Sequence, residues 1–321
     1  MSKTVKIWLI AAASLVLMGC MIFGGVMTML KWDFSRLSTN RYETNSHEIS
    51  EDFYGISIRV DTSDIRFVPA EDATCSVVCY EQNSMKHTVS VQDGILTIDV
   101  SDTRKWYEYI GIGFETSKIT VYLPSGEYGI LSVRSDTGDV VIPKDFGFGR
   151  VDISASTGDI TNYASASGEI GIKTSTGKIR LDGVSAGSLD LSVTTGDVTA
   201  SGITCAGDVS VLVSTGKTRL SGLTCKTLES KGSTGDISLT DVTVTEALSI
   251  RRSTGDVTFE NSDAAEIFVT TDTGDVKGSL LSEKVFLVKT DTGRISVPDS
   301  VTGGRCEITT DTGDIRIEVK Q

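Results

Sequence analysis

Apolar and polar residues alternate in short runs from Leu131 to Ile317, and each run reverses its phase at a glycine. Leu131, Val133, Ser135 and Thr137 share one parity, and after Gly138 the apolar positions restart on the other parity at Val140 and Ile142. Leu189, Leu191, Val193 and Thr195 do the same before Gly196, as do Cys306, Ile308, Thr310 and Thr312 before Gly313. A period of two predicts strands with one buried face, and a phase reversal at glycine predicts a corner with that glycine in a left-handed conformation. The corner glycines are Gly138, Gly158, Gly177, Gly196, Gly216, Gly235, Gly255, Gly274, Gly293 and Gly313, each 19 or 20 residues from the next. A third short run follows in several copies, such as Val184 and Ala186, Ile203 and Cys205, Leu223 and Cys225, or Val242 and Val244. Three short strands per repeat with no helical period predict an all-β fold, a right-handed single-stranded parallel β-helix (solenoid) of 19–20-residue coils over 131–321.

In a solenoid, equivalent positions stack at about 4.8 Å, so columns carry the interactions. The column before the glycine is threonine throughout, from Thr137 to Thr312. The column after it reads Asp139, Asp159, Lys178, Asp197, Lys217, Asp236, Asp256, Asp275, Arg294 and Asp314. Stacked carboxylates repel; the two lysines and the arginine relieve this, and carboxylates beside turns also accept backbone N–H groups.

Residues 53–130 follow the same style less regularly and form an irregular N-terminal β region. Ile56, Ile58, Val60, Ile65 and Phe67 outline a degenerate first coil with Ser63 at the glycine position. Asp93-Gly94, flanked by alternating Val89, Val91 and Ile95 to Val100, predicts a hairpin. Trp106, Tyr107, Tyr109 and Phe114 interrupt the pattern. Their aromatic mass reads as a cap over the solenoid's open edge or as a contact site for a partner.

Ahead of the β region lie a tail at 1–6 with Lys3 and Lys6, an uncharged apolar stretch at 7–30, and a polar segment at 31–52 expected to be a juxtamembrane linker. As a helix, 24 residues span roughly 36 Å, more than a hydrocarbon core of about 30 Å. The favoured reading is an uncleaved transmembrane anchor. Leu17-Met18-Gly19-Cys20 also has the form of a lipobox that would leave Cys20 lipidated, and a cleaved signal is a third option. The apolar run continues past Cys20 to Leu30, which favours the anchor. Two lysines in the short tail favour an inside N-terminus, with the solenoid on the extracytoplasmic side of the cell membrane.

Charge narrows the partners. The chain of 321 residues carries −13, and the 30 residues at the start hold two lysines and no acid. The acidic remainder disfavours nucleic acid and anionic membrane surfaces as partners. His47 and His87 are the only histidines and fall in a polar linker and a polar turn, so both are expected at the solvated surface; a Ser-His-Asp hydrolase and a zinc enzyme are disfavoured.

Other chemical motifs are weak. Gly216-Lys217-Thr218 imitates the end of a phosphate loop, but Val211 stands where that loop needs a glycine. The pairs Asp136/Asp139, Asp272/Asp275 and Asp311/Asp314 lack the longer acid-and-glycine pattern of calcium repeats, and solvated turn carboxylates are the expectation. Cys205 and Cys225 share one column and read as small buried hydrophobes; Cys75 and Cys79 share one strand face. The coils hold to 19–20 residues with no insertion, so no catalytic cleft, cofactor or metal site is expected.

Ile119-Thr120-Val121-Tyr122-Leu123-Pro124, then Leu131-Ser132-Val133 and serial Thr-Gly-Asp repeats, resemble the bacterial putative-adhesin β-strand-repeat family, domain of unknown function 4097. The resemblance covers about residues 50–320 and implies a membrane-anchored envelope protein without catalytic residues. The expected function is a non-enzymatic cell-surface adhesin or binding module for an unknown surface ligand or membrane protein. A regulatory or sensory envelope protein acting on a membrane partner is the alternative, and a β-helix enzyme acting on polysaccharide comes third.

Overall fold

The computed structural model describes residues 2–33, 41–72, 74–104 and 115–320. A 27-residue helix, Lys3–Met29, opens the chain. Its mean hydropathy over an 18-residue window is 2.3, and it is long and apolar enough to cross a membrane. All the described strands belong to one continuous sheet that winds into a β-solenoid.

Each regular coil repeats the geometry of the last. The strand Glu169–Thr176 pairs in parallel with Phe146–Thr157 on one side and Ser188–Thr195 on the other, with Ile170 between Val151 and Leu189. After the corner, Ile179 sits between Ile160 and Val198. Alternate side chains of both strands point inward, which stacks apolar columns such as Val140, Ile160, Ile179 and Val198, all buried. Parallel pairing in register makes the local alternation sufficient to build the core, because a one-residue slip would turn a whole column outward.

The corner glycines carry φ between +128° and +156°. That is further from the right-handed regions than the left-handed helical value expected, and it is accessible essentially to glycine alone. Sterics add a second demand: a Cβ on Gly196 would stand 1.8 Å from the carbonyl oxygen of Gly177, and one on Gly216 would stand 1.9 Å from that of Gly196. A second corner column follows six residues later at Gly183, Gly202, Gly222, Asp241 and Asn261, with φ from +48° to +66°. Here the conformation is the ordinary left-handed one, and aspartate and asparagine tolerate it.

Both ends depart from simple winding. The strand Gly55–Pro69 comes first in sequence among the solenoid strands, yet it lies one layer inside. Ile56 is flanked by Leu131 and by Leu96, and Ile65 by Val140 and by Ile119. The outermost parallel layer is therefore made by Ile95–Asp102 and Ser117–Leu123. At the other end the last strands, Gly304–Thr312 and Ile315–Val319, are also inserted. Ile308 lies between Val269 and Val288, and Ile315 between Val276 and Ile295. The coil around Gly293 thus forms the edge, although the coil around Gly313 follows it in sequence. Lys284, 3% exposed, anchors the crossing to Asp263 at 2.7 Å.

The N-terminal end is closed by antiparallel strands. Met85–Gln92 pairs with Ile95–Asp102 through the Asp93-Gly94 turn, both of whose residues have positive φ, as the hairpin expectation required. Cys75–Gln82 pairs with Ser117–Leu123, and Tyr42–Ile49 pairs with Cys75–Gln82 over its whole length. The segment expected to be a linker therefore contributes a strand. Its alternation is masked in the sequence because the inward positions are Glu43, Asn45, His47 and Ile49, mostly polar residues that face a polar pocket.

Candidate functional site

The corner of the solenoid is the most repetitive surface. Ser63 does stand at the glycine position: Thr62 pairs with Thr137 and Ile65 with Val140, which sets Asp64 beside Asp139. From there each carboxylate binds the backbone one layer on. The N–H of Asp139 donates to Asp64 Oδ1 at 3.1 Å, that of Asp159 to Asp139 Oδ1 at 2.8 Å, and that of Lys178 to Asp159 Oδ1 at 2.8 Å. The series continues through Asp256 on Asp236, Asp275 on Asp256, Asp314 on Asp275 and Arg294 on Asp314. The last two steps follow the swapped spatial order and not the sequence. Lys217 meets Asp236 at 3.2 Å, and Arg294 meets Asp314 at 2.8 Å. The backbone N–H of Asp256, then Lys217, holds the Asp236 carboxyl below its usual range; Arg294 does the same for Asp314. These aspartates are bound within the ladder, which accounts for their presence without a ligand.

The polar pocket at the N-terminal end is different in kind. Strand alternation points Cys79 and Glu81 inward from the strand Cys75–Gln82, and the tight turn after Gln82 returns the chain so that His87 points inward from the strand Met85–Gln92. Cys79, Glu81 and His87 are 0%, 1% and 6% exposed. Glu81 Oε2 accepts from the backbone N–H and from Nδ1 of His87, both at 2.6 Å. Glu81 Oε1 accepts from Asn45 Nδ2 at 2.6 Å. His87 Nε2 lies 3.4 Å from Ser63 Oγ. Burial, with the charge of Glu81 as a lesser cause, pushes the Cys79 thiol up to about 12.

The expectation of a surface His87 is therefore wrong, and so is that for His47, whose Nε2 is buried without a hydrogen-bond partner. Both sit on strands whose inner face is concealed by a polar local sequence. Among the described residues, Cys79, Glu81 and His87 are the only group of three whose His, Cys, Asp or Glu donor atoms lie within 4.8 Å of one another. The hydroxyl–imidazole–carboxylate order Ser63, His87, Glu81 has the connectivity of a nucleophile relay. Ser63 is 1% exposed, however, and a substrate carbonyl has no approach to it.

The other expected residues fall in place or outside view. Cys205 and Cys225 are buried thiols on neighbouring layers, and burial pushes Cys225 up to about 12. Cys75 shares the inner face with Cys79. Trp106, Tyr107, Tyr109 and Phe114 lie outside the described residues.

The family model called Toastrack DUF4097 matches residues 53–212 and 204–321. The chain belongs to the Toastrack DUF4097 family. None of the curated proteins matches this Toastrack chain. Solved structures similar to it include a putative adhesin from Bacteroides fragilis NCTC 9343, 16% identical, covering 87% of this chain and 97% of its own, with a TM-score of 0.38. A putative adhesin from Parabacteroides distasonis ATCC 8503 is 12% identical over 88% of this chain and 98% of its own, with a TM-score of 0.42. A putative cell adhesion protein from Clostridium sporogenes ATCC 15579 is 9% identical over 88% and 100%, with a TM-score of 0.24.

Proposed function

We propose that this Toastrack protein is a non-enzymatic, membrane-anchored surface protein that works by contact, as an adhesion or binding module. The helix Lys3–Met29 is the anchor, and Lys3 and Lys6 ahead of its apolar run favour an inside N-terminus with the solenoid outside the cytoplasm. The chain enters the solenoid at its closed N-terminal end, which leaves the edge coil Lys284–Thr292 and Ile295–Ser296 at the end remote from the tether.

One observation carries the reading. Among the described residues beyond 33, the exposed large hydrophobic ones are Tyr54, Leu212, Leu281, Leu287, Ile295 and Val301, and four of these six lie between 281 and 301. Leu287 faces outward, opposite Glu307 of the neighbouring strand. Ile295 occupies a core column yet is 46% exposed, because no strand among the described residues covers the edge coil. The free side of Lys284–Thr292 offers unpaired backbone groups beside these apolar side chains, a surface that suits a protein partner adding a strand. The constant coil length supports the non-enzymatic reading, since a β-helix builds a substrate cleft from inserted loops.

The test displays the full chain on cells and measures their attachment to neighbouring cells and to protein-coated surfaces. Leu287→Lys with Ile295→Lys is expected to remove the attachment that the wild-type chain confers, with melting of the solenoid unchanged. Wild-type cells that attach no better than cells lacking the protein, or a double variant that attaches as well as wild type, would overturn the reading.

A further inference from the structure

We propose that Cys79, Glu81 and His87, completed by His47, form a binding site for a zinc-class divalent transition metal that staples together the strands closing the N-terminal end of the solenoid. Three donors of different chemistry, a thiol, a carboxylate and an imidazole, lie within 4.8 Å of one another and are almost wholly enclosed. Zinc-bound sulfur, nitrogen and oxygen sit about 2.0–2.3 Å from the metal, so tetrahedral ligands are separated by roughly 3.3–3.8 Å. The cluster needs only a small contraction to reach that spacing. A mixed set with thiolate and imidazole selects against calcium and magnesium, which take oxygen ligands.

The fourth donor comes from the pairing of Tyr42–Ile49 with Cys75–Gln82. That register sets Asn45 opposite Cys79 and His47 opposite Val77, so His47 stands one inward step from Cys79 on the adjacent strand. Diagonal neighbours of this kind are about 7–8 Å apart at Cα, within reach of a long side chain. Its Nε2 is buried with no hydrogen-bond partner, which is costly unless another ligand is provided for it. Asn45, bound to Glu81 Oε1, would orient the carboxylate, the usual task of a group just outside the metal's own ligands.

In the absence of metal the ligands satisfy one another, with His87 Nδ1 donating to Glu81. Metal binding at His87 Nδ1 breaks that hydrogen bond and leaves the ring proton on Nε2, 3.4 Å from Ser63 Oγ, displaces the thiol proton of Cys79 to solvent, and leaves oxidation states unchanged. The donors come from three strands, Tyr42–Ile49, Cys75–Gln82 and Met85–Gln92, so coordination would cross-link the end of the solenoid.

The experiment uses the untagged full chain in detergent, stripped with a chelator and titrated with Co²⁺. A single equivalent should bind with a thiolate-to-cobalt charge-transfer band and four-coordinate visible bands, be displaced by Zn²⁺, and raise the melting temperature. Cys79→Ser should abolish the charge-transfer band, and His47→Gln and Asn45→Ala should each weaken binding at least tenfold, whereas Cys225→Ser should change nothing. The wild-type titration decides the matter even if a variant fails to fold. No charge-transfer band at saturating Co²⁺ overturns the site, as does a band that survives Cys79→Ser. Unchanged affinity in His47→Gln overturns the assignment of the fourth ligand.

Discussion

A Cβ placed on Gly232 would lie 1.7 Å from Nη1 of Arg252, so the bare glycine is the space into which that guanidinium turns. The two residues are direct partners on adjacent layers. Arg252 is 3% exposed; its Nη2 donates to Thr218 Oγ1 and Ser230 Oγ, each at 3.0 Å, and its Nη1 to the Val213 carbonyl at 3.4 Å. Thr218 and Ser230 are themselves polar interruptions of apolar columns, between Val198 and Ile237 and between Val211 and Ile250. Four exceptions to the repeat are thus one arrangement: three oxygens and the room left by a glycine together hold a buried cation. Burial lowers the pKa of that guanidinium from its usual value.

Gly232→Ala should cost about 2–3 kcal/mol, because the methyl group overpacks the space used by Arg252. Arg252→Val should relieve part of that cost, leaving the clash with the Val213 carbonyl, which a Cβ on Gly232 would approach to 2.2 Å. A double-mutant cycle by chemical denaturation should give a coupling of about 1 kcal/mol or more. Additive effects would mean that the two residues do not share the space.

The two glycine columns should respond differently to substitution. Gly235 has φ +128° and a Cβ there would meet the Gly216 carbonyl oxygen at 1.9 Å, so Gly235→Val should cost about 3 kcal/mol or more. Gly222 has φ +57°, and a Cβ added there would have its nearest neighbour 3.6 Å away. Asn261 already occupies that column with φ +48°, so Gly222→Asn should change stability by no more than about 1 kcal/mol. Thermal melting of the two variants checks the contrast.

Hydrogen exchange should invert the order of the C-terminal strands. Amides of Gly304–Thr312 lie between two layers, while Lys284–Thr292 has a free side. The later strand should therefore exchange more slowly than the earlier one. Deleting residues 304–320 should also release the coil around Gly293, because its parallel partners among the described residues are removed. Faster exchange at Ile308 than at Val288 would contradict the swapped order.

Acid should weaken the corner ladder in a defined window. The carboxyls of Asp236 and Asp314 are held below the ordinary value of 3.8 by backbone N–H groups and by Lys217 and Arg294. A depressed carboxyl stabilises the fold above its unfolded-state pKa, and the contribution disappears as pH falls through the folded value. Melting temperature should hold from pH 7 to about 5 and fall below about 4, and Asp236→Asn should flatten part of that fall. A variant that retains the full wild-type acid slope would show that the ladder carboxylate does not contribute.

Local pattern alone specifies the repeat, the inward parity of the strands in the regular coils, the glycine corners, the hairpin at Asp93-Gly94 and the place of Ser63 in the glycine column. Side-chain parity and turn chemistry recur every 19 or 20 residues, and parallel stacking in register follows from them. The order of the last two coils is not local. Phe286 to Thr292 and Cys306 to Thr312 carry the same alternation and the same corner, so either could sit beside Val269, and only packing against Val269 and Val288 places Ile308 between them. The pocket of Cys79, Glu81 and His87 is hidden from the sequence for a related reason. Its donors come from strands that meet only when antiparallel pairing closes the end, and inward polar residues at His47 and His87 are indistinguishable from solvated ones until the facing strands cover them.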